Sequence, residues 1–239
     1  MNAKNNPDQK ARAYSVQSMF GRIAPRYDLM NRLMTGGMDI SLRKMVIRQA
    51  NLPNGGKLLD LGAGTGDLAQ EAMRQYPQGK VYAADFTFGM MQVGQQHPGP
   101  KVKFTAADAL NLPYEKESFD AVVSGFLLRN VVDLLSALKE QWRVLKPGGI
   151  FVALDTTRPQ KSLLSPLINF HMQRVIPFLG KTITGDRDAY VYLPTTTENF
   201  LSAEELVIYL AKAGFNKILF RRAMFNTVAI HWAQKAVTA

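Results

Sequence analysis

The sequence predicts an α/β fold built on a doubly wound, mostly parallel sheet of seven strands. From about residue 52, short apolar runs alternate with stretches of helical periodicity, as happens when parallel strands are linked by helices that cover the sheet. A run of alternating glycines at 62–66 follows the first strand and opens a helix. The segment Lys-Pro-Gly-Gly at 146–149 ends another helix just before an apolar run.

Each element follows from its local pattern. Apolar runs predict five buried strands, at 57–61, 80–85, 102–105, 119–124 and 150–155. Two closing strands, which we expect to form an antiparallel hairpin at the sheet edge, are predicted at 218–221 and 227–232. Helical periodicity and a capping box, in which Glu205 follows Ser202 by three residues, predict helices at 68–74, 88–96, 134–145 and 202–213.

The organisation along the chain predicts one domain with appendages. Residues 1–10 are expected to form a disordered tail, and residues 11–239 a single domain. Within it, residues 11–51 form short helices punctuated by Pro25 and a Gly-Gly pair. Residues 159–197 break the alternating rhythm with several prolines and aromatics, and we expect an inserted helical cap there.

Composition narrows the class of protein. Of 239 residues, 46% are hydrophobic and 20% charged, which is typical of a globular chain and excludes a disordered one. The chain has no cysteine and three scattered histidines, so we expect no metal site. No apolar run reaches the roughly 18 residues of a spanning helix, which favours a cytoplasmic protein. The net charge of +10 suits an anionic partner or membrane surface, or reflects only a basic soluble surface.

The sharpest motif is the segment Asp-Leu-Gly-Ala-Gly-Thr-Gly-Asp at 60–67. Its glycines let the backbone turn tightly and approach a ligand closely. It departs from the dinucleotide fingerprint, because the third glycine comes one residue early and Asp67 stands where that pattern needs glycine. A ligand that carries an amino group would suit Asp60 and Asp67.

Further acidic residues follow the next two strands. Asp85 lies about 20 residues beyond the glycines, where a carboxylate can accept from both hydroxyls of a ribose. Asp108, followed by Ala109, can accept from an adenine amino group. The carboxyl ends of parallel strands share one edge of the sheet, which is where open α/β folds bind ligands. The alternative is that each aspartate merely caps a helix or ends a strand.

This set resembles the class I methyltransferases that use S-adenosylmethionine (SAM). The resemblance implies a Rossmann-like fold, SAM as cofactor and S-adenosylhomocysteine as product. NAD(P) binding is the rival use of such a fold, and a non-catalytic SAM-binding module is a further alternative. The residues expected to contact the cofactor are Asp60, Gly62, Gly64, Thr65, Gly66, Asp67, Asp85, Asp108, Ala109 and Gly125.

Three further stretches resemble the quinone-ring C-methyltransferases of menaquinone and ubiquinone biosynthesis. They are Met19–Asn31, similar to F-x-x-I-A-x-x-Y-D-x-x-N, Leu128–Val131, close to the end of F-G-L-R-N-V, whose glycine is replaced by Leu127, and Gly185–Leu193, similar to D-x-x-x-Y-x-Y-L. The resemblance covers about residues 16–235. The chain departs from the family pattern on the expected acceptor side, at Gly125, Leu127, Asp155–Thr157 and Thr195–Leu201.

The resemblance implies methylation of a ring carbon of a prenylated quinol, such as demethylmenaquinol, or else of another small aromatic or lipid-like substrate. Arg129 is the candidate to stabilise the phenolate that forms on the quinol, and Asp155 to orient Arg129 or take the proton. The alternatives are a surface salt bridge for Arg129 and a strand-end turn for Asp155. The residues expected to bind the acceptor, or else to pack in the core, are Tyr27, Asn130, Tyr190 and Tyr192.

A polyprenyl tail is very apolar, so its enzyme must meet a membrane surface or a lipid channel. The apolar stretch 163–179 of the expected cap suits either role, and packing on the sheet is the alternative. His171 in this stretch is interpreted as structural and His97 as a loop residue. No RNA-binding motif is present, which argues against a nucleic-acid partner, and the pattern does not indicate an oligomeric state.

Overall fold

A single seven-stranded sheet organises the computed structural model. The structure describes residues 7–158 and 199–237 and, between them, residues 166, 170–176, 178, 182–183, 192 and 196–197. The strands are β1 Lys57–Leu61, β2 Lys80–Asp85, β3 Phe104–Ala106, β4 Phe119–Gly125, β5 Leu145–Thr156, β6 Phe215–Ala223 and β7 Val228–Lys235.

The strand order is β3-β2-β1-β4-β5-β7-β6. Strands β1 to β5 pair in parallel, whereas β7 runs antiparallel to both β5 and β6. The predicted doubly wound, mostly parallel sheet and its antiparallel edge hairpin are therefore confirmed. The order reverses between β1 and β4, and a crevice opens at such a switch point beyond the carboxyl ends of the strands.

Seven α-helices accompany these strands in the described part of the chain. They are α1 Pro7–Ile23, α2 Tyr27–Thr35, α3 Met38–Gln49, α4 Asp67–Gln75, α5 Phe88–Gln96, α6 Leu134–Val144 and α7 Ala203–Lys212. Short 3-10 turns at Ala24–Arg26 and Leu128–Asn130 complete the set.

Several predicted boundaries differ from the observed ones, most of all the starts of α1 and β5. Helix α1 begins at Pro7, so residues 7–10 are not part of a disordered tail. Proline suits the first turn of a helix, where its missing N–H group is not needed. Strand β5 begins at Leu145, five residues early, because Leu145 pairs with Phe119 before a register shift brings Ile150 opposite Ala121.

The sheet is covered on both faces, since its side chains alternate between two apolar clusters. One face, which includes Leu58 and Val152, packs against α3 and α4. The other, which includes Leu59 and Phe151, packs against α6 and α7. The long apolar runs that predicted buried strands follow from this double coverage.

A third apolar cluster joins the N-terminal helices to the described part of the expected cap. Met19, Ile23 and Met30 pack with Ile176. His171 Nε2 lies 3.3 Å from the carbonyl oxygen of Met34, which agrees with its structural interpretation. Most of the expected cap at 159–197 lies outside the described residues, and its longest described piece, 171–175, is a π-helix. Among the described helices, none is both long and apolar enough to cross a membrane.

Candidate active site

A cavity of about 470 Å³ opens at the carboxyl end of the sheet, beside the switch point. Its volume is within the usual range for sites that enclose a small ligand. Loops after the first four strands form its floor, and helix α1 covers it. The structure brings eight predicted site residues into its lining: Tyr27, Gly62, Gly64, Asp85, Asp108, Ala109, Gly125 and Asn130.

The glycine loop needs its glycines for conformation and space. Gly62, Gly64 and Gly66 all have positive φ, at 68°, 56° and 88°, a region that side chains disfavour. A Cβ atom on Gly62 would lie 2.8 Å from Leu127 Cδ1. On Gly66 it would lie 2.9 Å from Phe104 Cζ. Gly66 is thus required by packing, and Gly62 and Gly64 present bare backbone to the cavity.

Asp85 faces the cavity and also holds the glycine loop. Its Oδ2 accepts a 2.7 Å hydrogen bond from the Gly64 N–H, and its Oδ1 accepts one of 2.6 Å from the Thr87 N–H. Burial raises the pKa of this carboxyl, while the two backbone donors oppose the rise. A carboxylate offers about four lone-pair sites, so acceptor capacity for ribose hydroxyls remains.

Two other predicted cofactor residues face elsewhere. Asp60 is fully buried beneath the loop, where Oδ2 accepts from the Ala69 N–H at 2.9 Å. Burial raises the pKa of Asp60 to about 8. Asp67 opens α4, and its Oδ2 lies 2.5 Å from the Arg43 guanidinium. Neither carboxylate is in the cavity lining, so their placement does not favour the expected contact with a ligand amino group.

The third and fourth strand ends contribute less buried groups. Asp108 is exposed, and its Oδ1 accepts from the Leu110 N–H at 2.9 Å, which is the local turn that the alternative reading expected. Gly125 ends β4, and a Cβ atom there would lie 3.1 Å from Leu68 Cδ1. The adenine role of Asp108 and Ala109 stays a prediction.

Arg129 and Asp155 form a buried ion pair. The guanidinium NH1 lies 2.9 Å from Asp155 Oδ1, and the two side chains are only 7% and 2% exposed. The interpretation of Arg129 as a surface salt bridge is therefore wrong. Burial raises the pKa of Asp155, although the charge of Arg129 opposes the rise. Arg129 Nε is buried without a partner, and the guanidinium lies 5.1 Å from the ring centroid of Phe126.

The predicted acceptor residues gather beside this pair. Tyr27 lines the cavity, and burial raises the pKa of its hydroxyl, while the nearby charge of Arg129 lowers it. The Tyr192 hydroxyl donates to Asn130 Oδ1 at 3.2 Å. Tyr190 lies outside the described residues. The structure thus places Tyr27, Asn130 and Tyr192 near Arg129, and their roles stay predictions.

Sequence reasoning missed the contribution of helix α1. Ala13, Gln17 and Phe20 line the cavity, and Gln17 Nε2 donates to the carbonyl oxygen of Phe86 at 2.5 Å. The helical spacing of apolar residues in α1 was visible, but it indicates only a buried face and not what that face covers.

A charged cluster beneath the glycine loop was also missed. Side-chain ligand atoms of Asp28, Asp67 and His97 lie within 4.8 Å of one another. The Thr65 hydroxyl donates to Asp28 Oδ1 at 2.7 Å, and Arg43 supplies positive charge to Asp67. These contacts place Thr65 outside the cavity lining and give His97 a partner, which its interpretation as a loop residue did not include.

The cavity fits SAM by three observations. Bare backbone at Gly62 and Gly64 allows close approach of a ligand, and buried Asp85 suits a ribose. The apolar side chains of Phe86 and Met90 line the same cavity, which suits an adenine ring.

Comparisons with known proteins agree with this geometry. The chain is 42% identical to a ubiquinone/menaquinone biosynthesis C-methyltransferase, UbiE, of Desulfotalea psychrophila, over 92% of this chain and 90% of that protein. It is 39% identical to a demethylmenaquinone methyltransferase of Roseiflexus castenholzii, over 94% of each.

Among solved structures, a SAM-dependent methyltransferase of Thermotoga maritima, described as a possible histamine N-methyltransferase, superposes with a TM-score of 0.66. It is 20% identical and is matched over 91% of this chain and 98% of that one, which supports the Rossmann-like fold. A model of the ubiE/COQ5 methyltransferase family matches residues 6–235. The chain is a SAM-dependent methyltransferase and belongs to the ubiE/COQ5 methyltransferase family.

Proposed function

We propose that the protein transfers a methyl group from SAM to a ring carbon of a prenylated quinol, such as demethylmenaquinol. The observation that carries the proposal is the buried Arg129–Asp155 pair. Neither residue is in the cavity lining, but Arg129 lies in the chain between the lining residues Leu127 and Asn130. Carbon methylation needs electron density on the ring, and a quinol gains it when a hydroxyl loses its proton. A fixed, desolvated cation beside that hydroxyl favours the charged form. The names of the relatives support this substrate class.

The protein's own groups have separable tasks in this reaction. SAM, when bound, supplies the sulfonium methyl group. Arg129 is held in place by Asp155, so its charge is oriented before the acceptor arrives. Tyr27 and Asn130 line the cavity and would position the ring, so that the reacting carbon lies about 3–3.5 Å from the methyl group.

The acceptor's oxygen must also lose a proton. Asp155 is the buried carboxylate nearest to Arg129, and burial raises its pKa toward the range of a useful base. Its Oδ1 already accepts from the Arg129 guanidinium and from the Thr156 N–H, and its Oδ2 accepts from the backbone N–H of Arg129. This supports orientation of Arg129 as its first task, with proton transfer through a water as the second.

A smaller aromatic or lipid-like acceptor is the second candidate. The observation that favours it is Leu127, which stands where the family pattern has glycine and packs against Gly62 in the cavity lining. A leucine at this position fills space in the cavity lining that a glycine would leave open. A quinol with a bulky ring would then be methylated more slowly than a smaller ring.

The test is the lipid quinone content of cells that lack this protein. Mass spectrometry should find a quinone 14 mass units lighter, the mass of one CH₂ group, in place of the normal one. Expression of the wild-type chain should restore the normal quinone, and expression of Arg129→Ala should not. An unchanged quinone pool in the deleted strain would contradict the proposal.

We also propose that the protein meets the membrane peripherally through α2 and the cap. Leu29 and Leu33 lie one turn apart on α2 and are 53% and 45% exposed. Phe170 and Phe178 of the cap are exposed as well. Exposed apolar side chains together with the net charge of +10 suit an anionic bilayer surface.

Sedimentation with vesicles tests this contact. The protein should bind vesicles that contain an anionic lipid, and the variant Leu29→Ser/Leu33→Ser should bind several-fold less. Val237→Ser, which changes an exposed apolar residue at the far end of the chain, is the matched control. Equal binding by all three proteins would contradict the proposed surface.

A further inference from the structure

Asp28 joins helix α2 to two elements that hold the cofactor. The Thr65 hydroxyl, in the glycine loop, donates to Asp28 Oδ1 at 2.7 Å. His97 is the C-cap of α5, and its Nε2 lies 3.2 Å from Asp28 Oδ2. Thr65 of the glycine loop therefore contacts one oxygen of this carboxylate, and His97 at the end of α5 contacts the other.

The glycine loop is held from its other side as well. The Gly64 N–H donates to Asp85 Oδ2 at 2.7 Å, and Asp85 faces the cavity. The next residue, Thr65, bonds to Asp28. The loop thus lies between two carboxylates, one beside the cofactor and one on α2, so an adjustment of the loop changes the contact with Asp28.

Helix α2 is suited to respond as a unit. It has nine residues and ends at Gly36, whose φ of 57° breaks the helix. Its first residue, Tyr27, lines the cavity directly before Asp28 in the chain. A second link runs from Arg32 on α2 to Asp67 Oδ2 at the first turn of α4, at 3.4 Å, and Arg43 on α3 contacts the same oxygen at 2.5 Å.

The arrangement is costly for a contact that only stabilises the fold. Asp28 and Asp67 bring two carboxylates close together. Burial and the charge of Asp67 raise the pKa of Asp28, while the Thr65 hydroxyl and the charges of His97 and Arg43 oppose the rise, so opposing contributions act on the ionised form. A contact that only stabilises the fold gains little from such a pair. In a relay, by contrast, a contact of small net free energy is an advantage, because SAM binding can then shift it between its formed and broken states.

We propose that Asp28 is a positioning residue that relays cofactor occupancy of the glycine loop to α2, and so sets Tyr27 against the acceptor. Binding of SAM orders the loop, the loop holds Asp28 through Thr65, and α2 is fixed. The inference rests on SAM occupying this cavity, which is part of the proposed function, and not on the identity of the acceptor.

Hydrogen exchange measured with and without SAM tests the relay. In the wild type, SAM should slow amide exchange across residues 27–35 by about 5-fold or more, the lower end of typical coupling between sites. Thr65→Val removes the hydroxyl and should abolish this slowing in α2, while the glycine loop is still protected. Thr65→Ser keeps the hydroxyl and should behave as the wild type.

Three further variants complete the design. Asp28→Ala should match Thr65→Val, and the double variant should lose no more than either single one, because both break the same contact. Ser136→Ala is the matched control, since it removes a hydroxyl that donates to Asp133 at 2.8 Å outside the relay. It should leave the effect of SAM on α2 intact.

The outcomes separate the relay from the proposed function. Failure of the wild type to bind SAM by calorimetry would overturn both. Slowing of exchange in α2 that persists in Thr65→Val, or that is absent in a wild type that binds SAM, would overturn the relay alone. If Asp28→Ala does not fold, the comparison of Thr65→Val with Thr65→Ser still decides, because Val keeps the shape of Thr without its hydroxyl and Ser keeps the hydroxyl without the methyl group.

Discussion

At the residue scale, Asp85 has two features, since it lines the cavity and also accepts from the backbone N–H groups of Gly64 and Thr87. We expect Asp85→Ala to weaken SAM binding by about 2–4 kcal/mol, because charge-assisted hydrogen bonds to the ribose are lost. The melting temperature should also fall, because two buried N–H groups lose their acceptor. Calorimetry measures the affinity. Asp108→Ala, which changes an exposed residue, should weaken SAM binding by less. Unchanged affinity in folded Asp85→Ala would rule out the ribose assignment.

Arg129 separates binding from chemistry. Arg129→Ala should leave SAM affinity nearly intact and reduce kcat by about 10²–10³, the usual cost of losing one oriented electrostatic group. Arg129→Lys should restore little, because Lys lacks the planar fork of donors. Steady-state kinetics with the quinol as substrate measures kcat and KM for both variants. A raised KM with normal kcat would instead make Arg129 a substrate-positioning residue.

The same substitution leaves Asp155 buried and unpaired, so it should also lower the free energy of unfolding by several kcal/mol. The double variant Arg129→Met/Asp155→Leu is the control for this loss, since it removes both charges. It should recover stability without recovering turnover. Recovery of turnover would show that the charge is not needed.

Asp60 predicts a dependence of stability on pH. Its pKa is raised to about 8 in the folded protein, whereas an unfolded aspartate titrates near 3.8. Between these values the folded state binds more protons, so this group's contribution to stability is present below about pH 4 and is lost as the pH rises to about 8. The slope is at most about 1.4 kcal/mol per pH unit. The free energy of unfolding, measured with urea, should fall less steeply with rising pH in Asp60→Asn than in the wild type. Equal slopes for the two proteins would contradict the assignment.

The sequence predicts the position of a site residue where local structure places that residue, and it fails where a distant side chain orients it. Gly62, Gly64 and Asp85 lie in the cavity because backbone and strand order place them there, and both follow from local pattern. The direction of Asp67 depends on Arg43, and that of Thr65 on Asp28. These partners come from N-terminal helices whose packing no local pattern specifies.

At the element scale, the capping box of α7 carries a prediction. Ser202 Oγ accepts from the Glu205 N–H, and Glu205 Oε2 accepts from the Ser202 N–H at 2.7 Å. We expect Ser202→Ala to lower the free energy of unfolding by about 1 kcal/mol without changing kcat. Denaturant unfolding measures this, and exposed Ser41→Ala on α3 should change stability by less than about 0.5 kcal/mol. Equal stability of the two variants would mean that the cap contributes little.

Strands and helices were predictable wherever the spacing of apolar residues along the chain is clearly that of one kind of element. Helix 88–96 and strands 57–61 and 80–85 were predicted with the bounds that the structure has, because apolar runs and turn residues mark both ends. The start of α1 at Pro7 was not, because its first turns are polar and exposed, which is also typical of a tail. The pairing of Leu145 with Phe119 extends β5 through a tertiary contact.

At the scale of the whole molecule, the sheet order fixes where the cavity opens, and the N-terminal helices decide how it is closed. Strands β1 and β4 are neighbours in the sheet, but the next strands in order, β2 and β5, lie on opposite sides of this pair, and residues of α1 line the cavity at this point. The sequence predicts the first part, since strand alternation implies the switch. It does not predict the second, because coverage by α1 depends on contacts such as Gln17 with Phe86, 69 residues apart. The single-domain assignment of residues 11–239 stays a prediction.

The most direct test of the account is the position of the transferred methyl group. Purified protein is incubated with SAM labelled with ¹³C in the methyl group and with a reduced, short-tailed demethylmenaquinone, and the product is examined by NMR. The account predicts ¹³C on a methyl group bonded to a ring carbon, with S-adenosylhomocysteine formed in equal amount. A label found on oxygen, or no transfer by a protein that binds SAM, would contradict it.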